Sequence, residues 1–273
     1  MLLKIWLLNL ALLAGLSCEP FELHEAVKAG DLRRVEALIR NGAPVSARDG
    51  LGATPLHHAA WNGRADIAGL LLERGADPNA AHPEGGSRPL DYAALTGSAG
   101  MIDLLLERGA RIEARTLSGA TALHLASRGG HLRAAEVLAA RGTEVNAEDR
   151  AGVTPLDESA AKGHRAIIEL LLARGAGINH RNRETGATPL HLAAAGGHSG
   201  VVEALLERGA DAGIKDNFGA TPVESAFRSG HARVVALLAP SSAGVRTEAM
   251  LREAVLKGWT EMARVLLAGG GNI

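Results

Sequence analysis

Eleven histidines in 273 residues are the first chemistry the sequence offers. His131, His164, His198 and His231 each follow a glycine and recur at steps of 33, 34 and 33 residues, which invites a metal or proton-relay reading. A metal or relay needs unlike groups converging on one point, and the strict period argues against that for these four, as it does for His124 and His191 in their Thr-x-x-His settings. No His-Glu-x-x-His occurs, because Lys28 stands where a second ligand would follow His24-Glu25. Neither a Gly-x-Ser-x-Gly elbow nor a Gly-x-x-x-x-Gly-Lys phosphate loop is present. A single cysteine, Cys18, excludes an intrachain disulfide and a multi-cysteine zinc site. The sequence thus assigns no catalytic residue, no metal ligand and no cofactor.

The elements that carry these histidines form a repeat. Gly-Ala-Thr-Pro begins at Gly52, Gly186 and Gly219, with variants at Gly86, Gly119 and Gly152, and successive steps are 34, 33, 33, 34 and 33 residues. About twenty residues on, each unit closes with a run such as Leu70-Leu71-Leu72-Glu73-Arg74-Gly75-Ala76. Thr54 is an N-cap, and Pro55 occupies the first helical position, where its missing N–H costs nothing. Asp157 and Glu224, at the fourth position of their units, are placed to reach back to the cap. Arg74, Arg108, Arg141, Arg174 and Arg208 are expected in the last turn of each second helix, followed by a left-handed glycine. Ile67, Leu70, Leu71 and Ile102, Leu105, Leu106 give each second helix one apolar face, which only a neighbouring unit can bury. Arg88 in place of threonine and Ala122 in place of proline predict helix starts that fray more easily. The extra residues of the 34-residue steps fall in the connections at His82 to Gly85 and Asn182 to Thr185.

Thr54-Pro55-Leu56-His57 and Thr188-Pro189-Leu190-His191, each followed by alanines and closed by Leu-Leu-x-x-Gly-Ala, resemble the ankyrin-repeat family over roughly residues 21–273. The resemblance implies an all-α solenoid of helix pairs joined by β-turn fingers, about eight units with caps, working as a binding scaffold. Within the ankyrin-repeat domain, 18–273, residues 21–51 read as an N-terminal cap repeat, 52–245 as six central repeats, and 246–273 as a C-terminal cap repeat.

Composition agrees with short, closely stacked helices: 47% apolar, only 3% aromatic and 34 glycines. A net charge of −1, with 29 basic and 30 acidic side chains interspersed, gives no footprint for nucleic acid or anionic lipid. Lys4 and the apolar run from Ile5 to Leu16 read as a signal peptide over residues 1–17, too short to span a bilayer. Gly15 and Ser17 suit cleavage after Ser17. The same bond resembles a bacterial lipoprotein signal that would lipidate Cys18, although Leu16 sits at −2 rather than −3. Both outcomes place the mature chain outside the cytoplasm: periplasm or outer membrane, or the extracellular space. Membrane attachment would come only through a lipid on Cys18.

The resemblance also implies where a partner sits: the two residues after the alanines of each first helix, and the finger tips. Here these positions include Leu51, Trp61, Asn62, Glu84, Leu95, Thr96 and Leu117, then Arg128, Arg150, Lys162, Arg183, Glu184, Asn217, Phe218 and Arg228. The first set is mainly apolar and the second mainly basic. The expected function is non-catalytic binding of a folded protein in the concave groove of an exported scaffold. The alternative is an inhibitor or stabilising accessory subunit of a periplasmic or secreted enzyme. A third reading, an effector acting on host proteins, is permitted by the signal segment and not favoured by it.

Overall fold

The computed structural model describes residues 22–241 and 247–268; the expected signal segment and Cys18 lie outside them. The described residues form helices and turns with no strand. They divide into two compact units, one up to Leu117 and the other from Ser118 onward. The first holds α1 (Glu22–Ala29), α2 (Leu32–Arg40), α3 (Pro55–Trp61), α4 (Ala65–Glu73), α5 (Pro89–Leu95) and α6 (Ala99–Glu107). The second holds α7 (Ala122–Gly129), α8 (Leu132–Ala140), α9 (Pro155–Lys162), α10 (Arg165–Ala173), α11 (Pro189–Ala195) and α12 (Ser199–Glu207). It continues with α13 (Pro222–Arg228), α14 (Ala232–Leu238), a 3-10 turn (Ala239–Ser241), α15 (Thr247–Leu256) and α16 (Thr260–Ala268). Among the described residues no helix is long and apolar enough to cross a membrane.

Each pair buries the same few positions. In the first helices these are Leu56, Ala59 and Ala60, repeated as Leu90, Ala93 and Ala94 and as Leu190, Ala193 and Ala194. In the second helices they are Ile67, Ala68 and Leu71, repeated as Met101, Ile102 and Leu105 and as Val201, Val202 and Leu205. Alanine lets neighbouring first helices approach closely, and the branched residues of the second helices fill the wider layer. Within each unit the burial comes from the adjoining pair, as expected of a nearest-neighbour stack.

The helix starts follow the cap chemistry. The Thr188 hydroxyl accepts from the His191 backbone N–H at 3.4 Å, and the Thr154 hydroxyl from that of Asp157 at 3.3 Å. The expectation that α5 and α7 begin loosely is not met. The Arg88 N–H donates to Asp91 Oδ2 at 2.7 Å while the Arg88 guanidinium donates to the Arg115 carbonyl at 2.9 Å. Thr121 donates its N–H to His124 Nδ1 at 3.1 Å, so the third helical residue satisfies the cap amide whatever precedes it. Arg74, Arg108, Arg141, Arg174 and Arg208 are C-cap residues, one position beyond the last turn where they were expected. The glycines after them do adopt positive φ, from 85° to 88°.

The fingers turn on an aspartate. Asp49 Oδ1 accepts from the N–H groups of Leu51 and Ala53, both at 3.0 Å, and Asp149 and Asp216 repeat the pattern. The 34-residue units place their extra residue here. His82 and Asn182 close a loop one residue longer, through Gly86 N–H to His82 at 2.8 Å and Gly186 N–H to Asn182 at 2.9 Å.

Candidate partner-binding surface

Each capped first helix ends at the seventh residue after its cap, or at the eighth in α7 and α9, and the finger tip precedes it in sequence; the helix ends, the residue beside them and the finger tips carry the expected contact residues. In the first unit the register places four large apolar side chains in solvent: Leu51 is 71% exposed, Trp61 50%, Leu95 37% and Leu117 51%. Asn62 and Glu84 are exposed beside them, and Thr96 is half-buried with its hydroxyl donating to the Tyr92 carbonyl at 3.0 Å. Tyr92, which sequence reasoning passed over, joins this surface. Its ring meets Trp61 edge-on, with centroids 5.7 Å apart, and meets His57 at 5.5 Å. The Tyr92 hydroxyl is pushed up first by burial and then by Asp91, Asp49 and Glu84. The Trp61 ring thus packs against Tyr92 of the next first helix, and the residue is half exposed.

Beneath that surface the histidines behave as structural donors with assignable tautomers. His57 Nδ1 accepts from the Thr54 N–H at 3.1 Å and lies 2.7 Å from the Thr54 hydroxyl, so Nε2–H is left to donate to the Ser87 carbonyl at 3.3 Å. Burial holds the His57 imidazole at about 4, so it is neutral at physiological pH. His124 and His191 make the same link to Val153 and Ala220, each at 3.0 Å. His24 is a fourth member, 3.1 Å from the Ala47 carbonyl and 3.2 Å from that of Ala53. Its signal was present in Leu23-His24-Glu25-Ala26, which matches Leu56-His57-His58-Ala59. At Asp49, burial would raise the carboxyl, but the bonds from His58 and the Ala53 and Leu51 amides outweigh it and hold it at about 2.

In the second unit the basic set divides. Arg128 makes a two-point ion pair with Glu158, one bond being Nε to Oε2 at 3.0 Å. Arg183 lies 2.6 Å from Glu148 Oε2. These two were read as open positive charges; the neighbouring repeat neutralises both. Arg150, Lys162 and Arg228 are exposed. Glu184 is also exposed, and Phe218 is 73% exposed. Asn217 serves the fingers instead, with its N–H to the Thr185 carbonyl at 2.8 Å and its amide to that of Glu184 at 3.3 Å. His180 bridges Asp157 at 3.0 Å and Glu148 at 3.2 Å, and its hydrogen bond with Asp157 raises its pKa. Where α9 carries an aspartate in place of the linking histidine, the adjacent finger thus supplies the histidine. The second histidine series also reaches across repeats: His164, His198 and His231 approach the carbonyls of Arg128, Ala161 and Ala195 at 3.1, 3.0 and 3.0 Å. No cluster of three or more His, Cys, Asp or Glu side chains among the described residues is arranged to hold a metal.

Residues 23–116 and 90–182 match a family model for ankyrin repeats in three copies, and residues 178–226 match a model for ankyrin repeats in many copies. The chain belongs to the ankyrin-repeat family. Protein phosphatase 1 regulatory subunit 27 of Mus musculus is 48% identical over 60 residues, which are 22% of this chain and 39% of that protein. The 2-5A-dependent ribonuclease of Mus musculus is 50% identical over 58 residues, 21% of this chain and 8% of the ribonuclease. The mitochondrial disaggregase of Bos taurus is 38% identical over 82 residues, 28% of this chain and 12% of that protein. The ankyrin chain thus spans well under half the length of these relatives. Ankyrin repeats imply a protein partner, and the relatives include both a regulatory subunit and enzymes.

Proposed function

We propose that this ankyrin-repeat protein is a non-catalytic scaffold that binds a folded protein through the finger tips and first-helix ends. The observation that carries it is the exposure, within the first unit, of Trp61 and Leu95 at the ends of successive first helices and of Leu51 and Leu117 at finger tips, while the rest of each first helix's apolar side is buried. Apolar groups exposed together at helix ends and finger tips mark an interaction surface. Trp61 is its anchor, because truncating a half-open aromatic at the centre of an interface costs about 2 kcal/mol or more. A second reading, that the partner is an enzyme which this chain inhibits or stabilises, draws support from the relative named as a phosphatase regulatory subunit. Export to the periplasm, outer membrane or extracellular space is part of the proposal and rests on the signal-like residues 1–17 and Cys18.

The test is a pull-down of the tagged full-length chain from cells of its source, read as dependence on Trp61. Trp61→Ala should abolish recovery of a stoichiometric partner while leaving the melting curve nearly unchanged. Unchanged recovery with a lowered melt would return Trp61 to a packing role and remove the surface. Enzyme assays on the recovered complex separate the second reading from the first, and palmitate labelling of Cys18 separates a lipoprotein from a released protein.

A further inference from the structure

We infer that the second unit takes an extended, acidic peptide segment, with two carboxylates about six residues apart, across the ends of α9, α11 and α13. The inference rests on the reading that the first-helix ends and finger tips bind protein, and it names the chemistry of what binds there.

The cations of this surface sort into two classes. Arg128 is held by Glu158, and Arg183 by Glu148, so neither offers a full charge to a ligand. Arg150, Lys162 and Arg228 are exposed, and among the described residues their side chains make no ion pair. Arg150 and Lys162 belong to one repeat, at its finger tip and the last residue of α9; Arg228 ends α13, two repeats on. Between them the floor consists of Ala161, Ala195 and Gly196, small residues that leave the helix ends open to a main chain. Phe218, 73% exposed, lies on the finger that leads into α13.

Packed helices lie 8–10 Å apart and an extended chain advances 3.3–3.6 Å per residue, so each repeat is matched by about three ligand residues. Two repeats separate the two positive ends, which gives a spacing of about six residues between the carboxylates. An apolar side chain next to the second carboxylate would meet Phe218. Charge pairing at exposed positions of this kind governs specificity and association and is sensitive to salt.

The experiment uses the full chain and fluorescein-labelled peptides in an anisotropy titration at low salt. The probe is a twelve-residue, glycine- and serine-based peptide carrying glutamates six apart, followed by a leucine; its control carries glutamines. Arg150→Glu with Lys162→Glu, and separately Arg228→Glu, should each weaken the glutamate peptide by about tenfold without moving the thermal melt. Trp61→Ala should leave it unchanged. Equal affinity for the glutamine peptide, no loss in either charge variant, or tighter binding of a single-stranded oligonucleotide would overturn the inference. Absent peptide binding with a Trp61-dependent partner still recovered would remove this inference alone and leave the scaffold function standing.

Discussion

Replacing Asp91 with Asn should stabilise the protein at neutral pH, although it removes a capping carboxylate. Asp91 is 2% exposed, and its Oδ2 accepts the Arg88 backbone N–H at 2.7 Å. Burial raises its carboxyl from 3.8 to about 6, and the bond from Arg88 recovers only part of that penalty. An elevation of that size makes the ionised group about 3 kcal/mol costlier in the folded than in the unfolded chain. The folded state holds this proton more firmly, so the stability it confers is complete below pH 3.8 and lost as pH rises through 6. Asparagine keeps an acceptor for Arg88 but leaves a buried amide nitrogen short of a partner, which costs about 1–2 kcal/mol. The net gain at pH 7.5 is therefore about 1–2 kcal/mol. At pH 4 the wild-type side chain is nearly all protonated, so the variant should be less stable there by about 1–2 kcal/mol. His57, neutral down to about 4, destabilises both proteins alike in acid and drops out of the difference. Urea denaturation of both proteins at pH 7.5, 5.5 and 4 measures it. A difference that keeps one sign across this range would refute the burial argument for Asp91.

Ser127 is fully buried at the position held by Ala60, Ala94, Ala160 and Ala194 in other repeats, and among the described residues its hydroxyl has no hydrogen-bond partner. Ser127→Ala should therefore raise stability by about 1 kcal/mol in denaturant melts, and a loss would mean that the hydroxyl is bonded. Gly163→Ala should cost more than 1 kcal/mol, because its φ is 79° and a Cβ there would lie 2.6 Å from His198 Nδ1. His198→Ala combined with Gly163→Ala should recover part of that loss, and simple additivity of the two would place the His198 ring elsewhere. Thr188→Ala should cost about 1 kcal/mol through its lost cap, while Glu203→Ala, half-buried with Arg233 3.9 Å away, should cost little; equal losses would misplace the start of α11.

The fold was legible because its signals are local and repeated. The period, the Thr-Pro start, the positive-φ glycine and the apolar spacing each specify one helix boundary or face, and none depends on knowing what lies across from it. The site was legible in position but not in charge. Arg128 reads as an open cation until Glu158, thirty residues on, is seen to meet it across the repeat interface. Arg183 and Glu148 present the same difficulty, since the finger geometry brings together residues 35 positions apart in sequence. His24 was hidden for another reason: its repeat lacks the Thr-Pro start, so the histidine was tested against a zinc motif and not against the Leu-His-x-Ala frame it fits. The swap at His180 and Asp157 needed both effects together, an exchanged residue type and a partner in the adjacent finger.

The two histidine series explain how such a surface can vary without unfolding the protein. The last carbonyls of a helix have no partner within it, and at the end of a short helix they must be bonded or solvated. His164, His198 and His231 approach the carbonyls of Arg128, Ala161 and Ala195, and those residues occupy the contact register itself. The backbone at these three contact positions is thereby held by the following repeat, whatever side chain it carries. His124 and His191 hold the other end, tying the start of a first helix to the base of the next finger. With both ends fixed through main-chain carbonyls, the backbone does not depend on the side chain in this register: α7 carries Arg128 there, paired with Glu158, and α11 carries Ala195. In the last helix pair Trp259 takes the place of the histidine and packs against Phe227 at 5.7 Å. Leu256, the residue in the contact register of that pair, is 87% exposed. The contact register thus extends to α15, where an apolar side chain is again presented to solvent.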